Sequence, residues 1–156
     1  MAVEKVMEYF ESVGLSERVL IPQESTATVE EAARAVGCEP AHIAKTISFL
    51  QRGKPVLIVM AGDARADNSK YRARFGEKAS MIPGDMVEAL IGHGLGGVCP
   101  FAVNGGVEVY LDESLKRFEY VYAAGGSPNS AVKLTPVELE VHSGYLGWVD
   151  VCKGWE

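Results

Sequence analysis

The sequence predicts an α+β fold, a single domain over residues 1–156 with a mixed β-sheet flanked by helices. Three observations carry this. Helical and strand patterns interleave irregularly along the chain. Two apolar runs, Ile43–Leu50 and Val56–Ala61, flank Arg52-Gly53-Lys54 and read as a hairpin. The length of 156 residues fits one domain, with no internal repeat, low-complexity tract or linker to divide it.

At the start, Val3, Val6, Met7 and Phe10 recur at helical spacing with Glu4, Lys5, Glu8 and Glu11 between them. This gives an amphipathic helix ending near Gly14. Val19–Pro22 reads as a short strand. Thr28, with Glu31 three residues on, is a capping box that opens a helix through Val36, closed by Gly37. Ile43–Leu50 alternates, with Ile43, Lys45, Ile47 and Phe49 on one face and Ala44, Thr46, Ser48 and Leu50 on the other. Val56–Ala61 is apolar throughout, as in a strand buried on both faces. Asp67 caps a helix to Phe75 stopped by Gly76, and Pro83 as a first-turn residue opens another to about Ile91. Val107–Leu111, Glu119–Tyr122 and Val132–Leu134 are strands, Pro136–Val141 a short helix and Trp148–Val151 a last strand.

Composition excludes several classes. With 15 Lys and Arg against 21 Asp and Glu the net charge is −6, the wrong sign for a protein that coats nucleic acid nonspecifically, so DNA is not an expected partner. The longest apolar run falls far short of the roughly 18 residues that span a bilayer. Glu4, Glu8 and Glu11 interrupt any signal-peptide core, so the expectation is a cytoplasmic protein without a membrane partner. Three cysteines without a C-x-x-C pair, and His42, His93 and His142 without metal-ligand spacing, give no disulfide framework, no metal and no cofactor.

The residues that suggest chemistry are few. Lys45 falls on an apolar strand face, where a charge needs a partner: either it lines a pocket for an anionic group or it snorkels to water. The loop Gly94-Leu95-Gly96-Gly97-Val98-Cys99-Pro100 offers backbone amides for a carbonyl oxygen or phosphate, though ordinary turns use the same residues. Gly125-Gly126-Ser127-Pro128-Asn129-Ser130 supplies three polar side chains after a glycine pair, or simply an Asx or Ser turn. Arg65, Lys70, Arg72, Arg74 and Lys78 are the one basic concentration, a footprint for RNA or a solvated helix face. Cys99 beside His93 raises a thiol nucleophile, against the usual reading of free cysteine as a small buried hydrophobe.

Taken in order, Ala44-Lys45-Thr46-Ile47-Ser48-Phe49, Ala61-Gly62-Asp63, Gly96-Gly97-Val98-Cys99-Pro100 and Gly125-Gly126-Ser127 ahead of Leu134-Thr135-Pro136 resemble the YbaK/ProX family. These are freestanding aminoacyl-tRNA deacylases related to the editing domain of bacterial prolyl-tRNA synthetases. The resemblance spans about residues 20 to 152. It implies a partly barrel-like sheet and a trans-editing hydrolase that cleaves the aminoacyl ester of mischarged tRNA. By the same resemblance Lys45, Gly96 and Gly97 are catalytic and Pro100, Gly125 and Gly126 bind substrate, with Thr46, Ser127, Asn129 and Ser130 as further expected substrate-binding residues. Lys70, Arg72 and Arg74 are expected to contact the tRNA. The implied partners are the acceptor end of an aminoacyl-tRNA and prolyl-tRNA synthetase. Cysteinyl-specific members carry basic residues after the glycine pair, where this chain has Ser127-Pro128-Asn129-Ser130, so alanine stands beside cysteine as the wrong amino acid on tRNA-Pro. A noncatalytic module of the same fold, binding the aminoacylated end or a synthetase, is the alternative, and a thiol hydrolase using Cys99 is a third class.

Overall fold

The hairpin expected at the centre of the sequence is the centre of the sheet. In the computed structural model, which describes residues 2–155, β2 (Ile43–Gln51) and β3 (Lys54–Ala61) pair antiparallel across a two-residue turn. Val56–Ala61 is buried throughout, as an uninterrupted apolar run in a strand covered on both faces should be. On one side β3 pairs in parallel with β5 (Glu108–Asp112), which pairs with β8 (Gly147–Val149). On the other, β2 meets β6 (Val121–Ala124) in parallel, and β6 continues antiparallel into β7 (Ala131–Leu134) and then β1 (Val19–Leu20).

The fold is thus α+β around a mixed seven-stranded sheet of order β1-β7-β6-β2-β3-β5-β8, as the sequence predicts. It is not closed into a barrel: β1 and β8 are its two edges. Among the described residues five α-helices flank it, α1 (Ala2–Ser12), α2 (Val29–Val36), α3 (Asn68–Phe75), α4 (Gly84–Ile91) and α5 (Pro136–Ser143). Helix α1 buries Val6 and Phe10, with Phe10 edge-on to Phe101 at 5.0 Å between ring centres.

Several boundaries move for physical reasons. The first strand stops at Leu20 because Ile21 is 49% exposed and Pro22 has no N–H to give a ladder. β6 starts two residues late, so that its alternation sends Val121 and Ala123 inward. Pro83 is the N-cap of α4 instead of its first-turn residue. Thr28 caps α2 by accepting from the Glu31 N–H at 3.1 Å, but the Glu31 carboxylate bonds Ser25 and Thr28 hydroxyls; the reciprocal capping box is at Thr135 and Glu138. The last strand breaks at Asp150, after which β9 (Cys152–Lys153) pairs with β4 (Arg65–Ala66) in a separate ribbon. Pairs of two residues are too short to leave a period in the sequence.

One buried carboxylate ties these pieces together. Asp112, fully buried at the end of β5, accepts from the Ser114 N–H and the Val151 N–H, each at 3.0 Å. Ser114 Oγ in turn accepts from the Ala61 N–H at 3.1 Å, so the ends of β3, β5 and the C-terminal segment share one polar cluster. Asp112→Ala orphans two buried N–H groups, each costing roughly 1–3 kcal/mol. The expected result is a Tm lowered by about 4 °C or more in a thermal melt; a shift under about 1 °C would remove Asp112 from the cluster's support.

Candidate functional site

The site follows from uneven pairing of β2. Its contact with β3 runs from Ala44↔Ala61 to Gln51↔Lys54, whereas its contact with β6 is only Ile43↔Tyr122 and Ala44↔Ala123. Further along the same edge, the Ile82 N–H donates to Ser48 O at 3.1 Å and the Leu50 N–H donates to Ser80 O at 2.8 Å. In an antiparallel pair a residue's N–H and C=O point to the same side, so even-numbered β2 residues turn their peptide groups away from β3. Thr46 lies between the two contacts, its peptide group directed into the gap. Thr46 Oγ1 is also buried, with no hydrogen-bond partner among the described residues.

A cavity of about 360 Å³ fills that gap. This is within the usual size of small-ligand pockets. Lys45, Thr46, Gly96 and Ser130 line it, so four of the expected site residues meet there. Its inner wall is apolar, made by Val29, Ala32, Ile43, Ala123 and Ala131, and two exposed apolar side chains, Met81 and Leu95, stand at its rim at 63% and 66% exposure.

Lys45 is half-buried, and its Nζ lies 3.5 Å from Gly62 O. Burial lowers its pKa from the ordinary lysine value; Cys152, Asp63 and Glu30 oppose that shift. The turn that holds Gly62 is itself fixed. Arg117 grips the Asp63 carboxylate with two bonds of 2.9 and 2.6 Å, and its guanidinium holds the carboxyl below the usual carboxylate range.

The glycine loops work through backbone contact. Gly97 does not line the cavity; a Cβ there would lie 2.4 Å from Ser127 N and 2.5 Å from Gly126 C. Gly126, at φ +98, packs on the Ala2–Val3 backbone at the start of α1. The close approach foreseen at these glycines is therefore one loop against another, and Gly96 is the member left facing the cavity. Pro100 and Gly125 are buried outside it. Ser130 Oγ accepts from the Gly125 and Ser127 N–H groups, each at 3.1 Å, and donates to Ser127 O at 3.0 Å. Ser127 Oγ donates to Asn129 Oδ1, which keeps both within their own turn.

The opposite wall leaves no signal in the sequence. Thr26 is buried, with its hydroxyl donating to Ser130 O and accepting from the Ser130 N–H, both at 3.0 Å. Its own N–H donates to Pro128 O at 2.6 Å, stitching residues 26–28 to the 127–130 turn across the cavity. No local pattern marks a lone threonine in a loop for this, because its partner is 104 residues away.

The basic helix lies apart from the cavity, for no α3 residue lines it. Lys70 pairs with Asp150 at 3.1 Å and donates to Cys152 O at 2.9 Å, and the Arg74 guanidinium lies over Phe75 and Tyr110. Arg72 is exposed. Cys99 and His93 do meet, at 3.5 Å, but both are fully buried. Burial pushes the thiol up to about 12, and His93 Nε2 sits 2.6 Å from Phe101 O. A carbonyl accepts only, so that nitrogen carries the proton and cannot take one from the thiol.

The fold and the cavity define a pocket domain of the α+β class, with a ligand-sized hollow opened by a split in a mixed sheet. More particularly, residues 23–141 match the model of the aminoacyl-tRNA editing domain, and the chain belongs to that family. It is 47% identical over 157 residues to the uncharacterized protein YwhH of Bacillus subtilis (strain 168), covering 100% of both chains. Among solved structures it resembles a candidate trans-editing enzyme for prolyl tRNA synthetase, with TM-score 0.87 and 32% identity over 98% of each chain. It also resembles the hypothetical protein APE2540, with TM-score 0.85 and 31% identity over 96% of this chain and 99% of that one.

Two outcomes follow from this geometry. Gly97→Ala forces the two loops apart, and overpacking typically costs about 1–3 kcal/mol; its denaturant midpoint should fall with the m-value unchanged, and an unshifted midpoint would refute the loop-on-loop contact. Because the folded state lowers the Lys45 pKa, the unfolded chain binds more protons between that folded value and about 10.4, and stability rises with pH across that window. Lys45→Met should therefore be at least as stable as the parent at pH 7, its advantage shrinking toward pH 10. Urea titrations at the two pH values check this; an advantage that grows with pH contradicts it.

Proposed function

We propose that the chain is a trans-editing aminoacyl-tRNA deacylase, acting in the cytoplasm on tRNA-Pro that carries a small wrong amino acid such as alanine or cysteine. The observation that carries this reading is the cavity of the β2–β6 split, where Lys45, the Thr46 peptide group and Gly96 come together in a chain of the editing family. The apolar wall of Ala32, Ile43, Ala123 and Ala131 suits a small uncharged side chain and disfavours a charged one, which would lose its water without gaining a partner.

The chemistry asked of the site is modest. Water adds to the ester carbonyl carbon, the carbonyl oxygen becomes an oxyanion, and the C–O bond to the terminal ribose breaks. The hydroxyl of water stays on the released amino acid, and its other proton ends on the ribose oxygen. The aminoacyl ester is already activated by its neighbouring hydroxyl and ammonium, so orientation and oxyanion donors suffice. N–H groups of Thr46 and of the Gly96 loop are the donors, and one such donor is worth about 2.7–4 kcal/mol of barrier. The Lys45 ammonium, held in a half-buried wall, attracts the developing negative charge more strongly than it would in water.

A deacylation panel tests the reading. With alanine, cysteine and proline each esterified to tRNA-Pro, the protein should release alanine or cysteine at least tenfold faster than proline. Lys45→Ala should keep a cooperative melt and lose about a hundredfold or more in rate, while Cys99→Ala stays within about threefold. Release from none of the three would favour a noncatalytic module that binds the aminoacylated end or prolyl-tRNA synthetase. Activity lost in Cys99→Ala with the fold intact would favour a thiol hydrolase.

A further inference from the structure

Beside the cavity, and sharing Tyr122 with it, lies a second depression whose surface is aromatic and cationic. Tyr122 on β6 opposes Lys133 on β7, and the Lys133 ammonium lies 6.0 Å from the Tyr122 ring and 4.6 Å from that of Tyr120. The Arg18 guanidinium lies 6.0 Å from the centre of the same Tyr120 ring, and His42 packs edge-on to Phe118 at 4.3 Å.

The charges here are not equal. Arg18 is committed to Glu138 at 2.7 Å and Arg117 to Asp63 at 2.6 Å, while Glu119 adds an exposed carboxylate. Lys133 has no carboxylate at ion-pair distance among the described residues. An unpaired cation between two tyrosines, on a chain of net charge −6, is suited to a phosphate with flanking bases.

We propose that this depression is the path of the single-stranded 3′ segment of the RNA substrate. The inference rests on the deacylase reading, which puts the terminal ribose in the cavity and obliges the preceding nucleotides to leave over its rim. Continuity through Tyr122 makes the depression their route. One base stacks against Tyr120, and Lys133 meets the phosphate beside it. Single-stranded ends are bound in this way, by stacking on aromatic rings and by cations along the backbone. Helix α3 lacks that continuity, and its Lys70 is already spent on Asp150.

The test is binding of an uncharged, fluorescein-labelled RNA hairpin with an unpaired CCA 3′ end, followed by anisotropy at several salt concentrations. It does not depend on turnover. Lys133→Glu and Tyr120→Ala should each weaken binding tenfold or more. Lys133→Glu should also flatten the log-log salt slope by about 0.7, and Lys133→Arg should restore most of the affinity. Arg74→Glu should stay within twofold. Hydrolysis of aminoacyl-adenosine, which lacks the preceding phosphates, should be unchanged in Lys133→Glu. Unchanged RNA binding in both depression variants, selective loss in Arg74→Glu, or no binding by the parent protein overturns the proposal. Unchanged binding is also the outcome if the depression receives a protein. RNA binding that behaves as expected in a protein releasing no amino acid sinks the deacylase reading and keeps the path; normal deacylation of tRNA by both variants does the reverse.

Discussion

The split between β2 and β6 is the constraint on which the rest of the structure depends. A strand in the middle of a sheet normally satisfies its peptide groups on both edges, and β2 does so toward β3 along eight paired positions. Toward β6 it does so at two. The glycine pair that ends β6, and the turn after it held by Ser130, take the chain away from β2. What remains is a short stretch of strand edge at Thr46 facing a hollow instead of a neighbour. A backbone N–H and C=O left facing a cavity are fixed in direction by the ladder on their other side, and so are preorganised for a ligand's polar atoms.

Everything around the hollow supports that edge. The Thr26 to Ser130 bonds hold one wall, and the Gly97 to Gly126 contact holds another by setting backbone on backbone. Among the described residues the lysine supplies the only charged side chain lining the cavity. A half-buried ammonium is unfavourable by itself, and its depressed pKa records that; the same desolvation strengthens its attraction for an anionic group brought in by a ligand. The Arg117 to Asp63 grip fixes the turn that carries Gly62, whose carbonyl lies 3.5 Å from the lysine Nζ.

Much of this was legible in the sequence, and the limits are physical. The buried run of β3, the alternation of β2, the α3 cap at Asp67 and the out-of-place charge at Lys45 all leave local patterns. The family was legible from the order of four motifs, each weak alone. Contacts between distant segments were not. Nothing near Thr26 announces Ser130, and Tyr122 reads only as a strand residue until its position between two depressions is known. Basic residues counted along the chain single out α3, because counting cannot see that Lys70 pairs with Asp150 while Lys133, isolated in sequence, has no carboxylate at ion-pair distance among the described residues.

The most direct test of this account is an amide NMR titration with a nonhydrolysable aminoacyl-adenosine analogue. The account predicts saturable shifts concentrated at Thr46, Gly96 and Val98, with the α3 amides unmoved. Shifts confined to other surfaces, or a Thr46 amide that stays unmoved at saturation, would contradict the claim that the open edge of β2 is where the substrate is held.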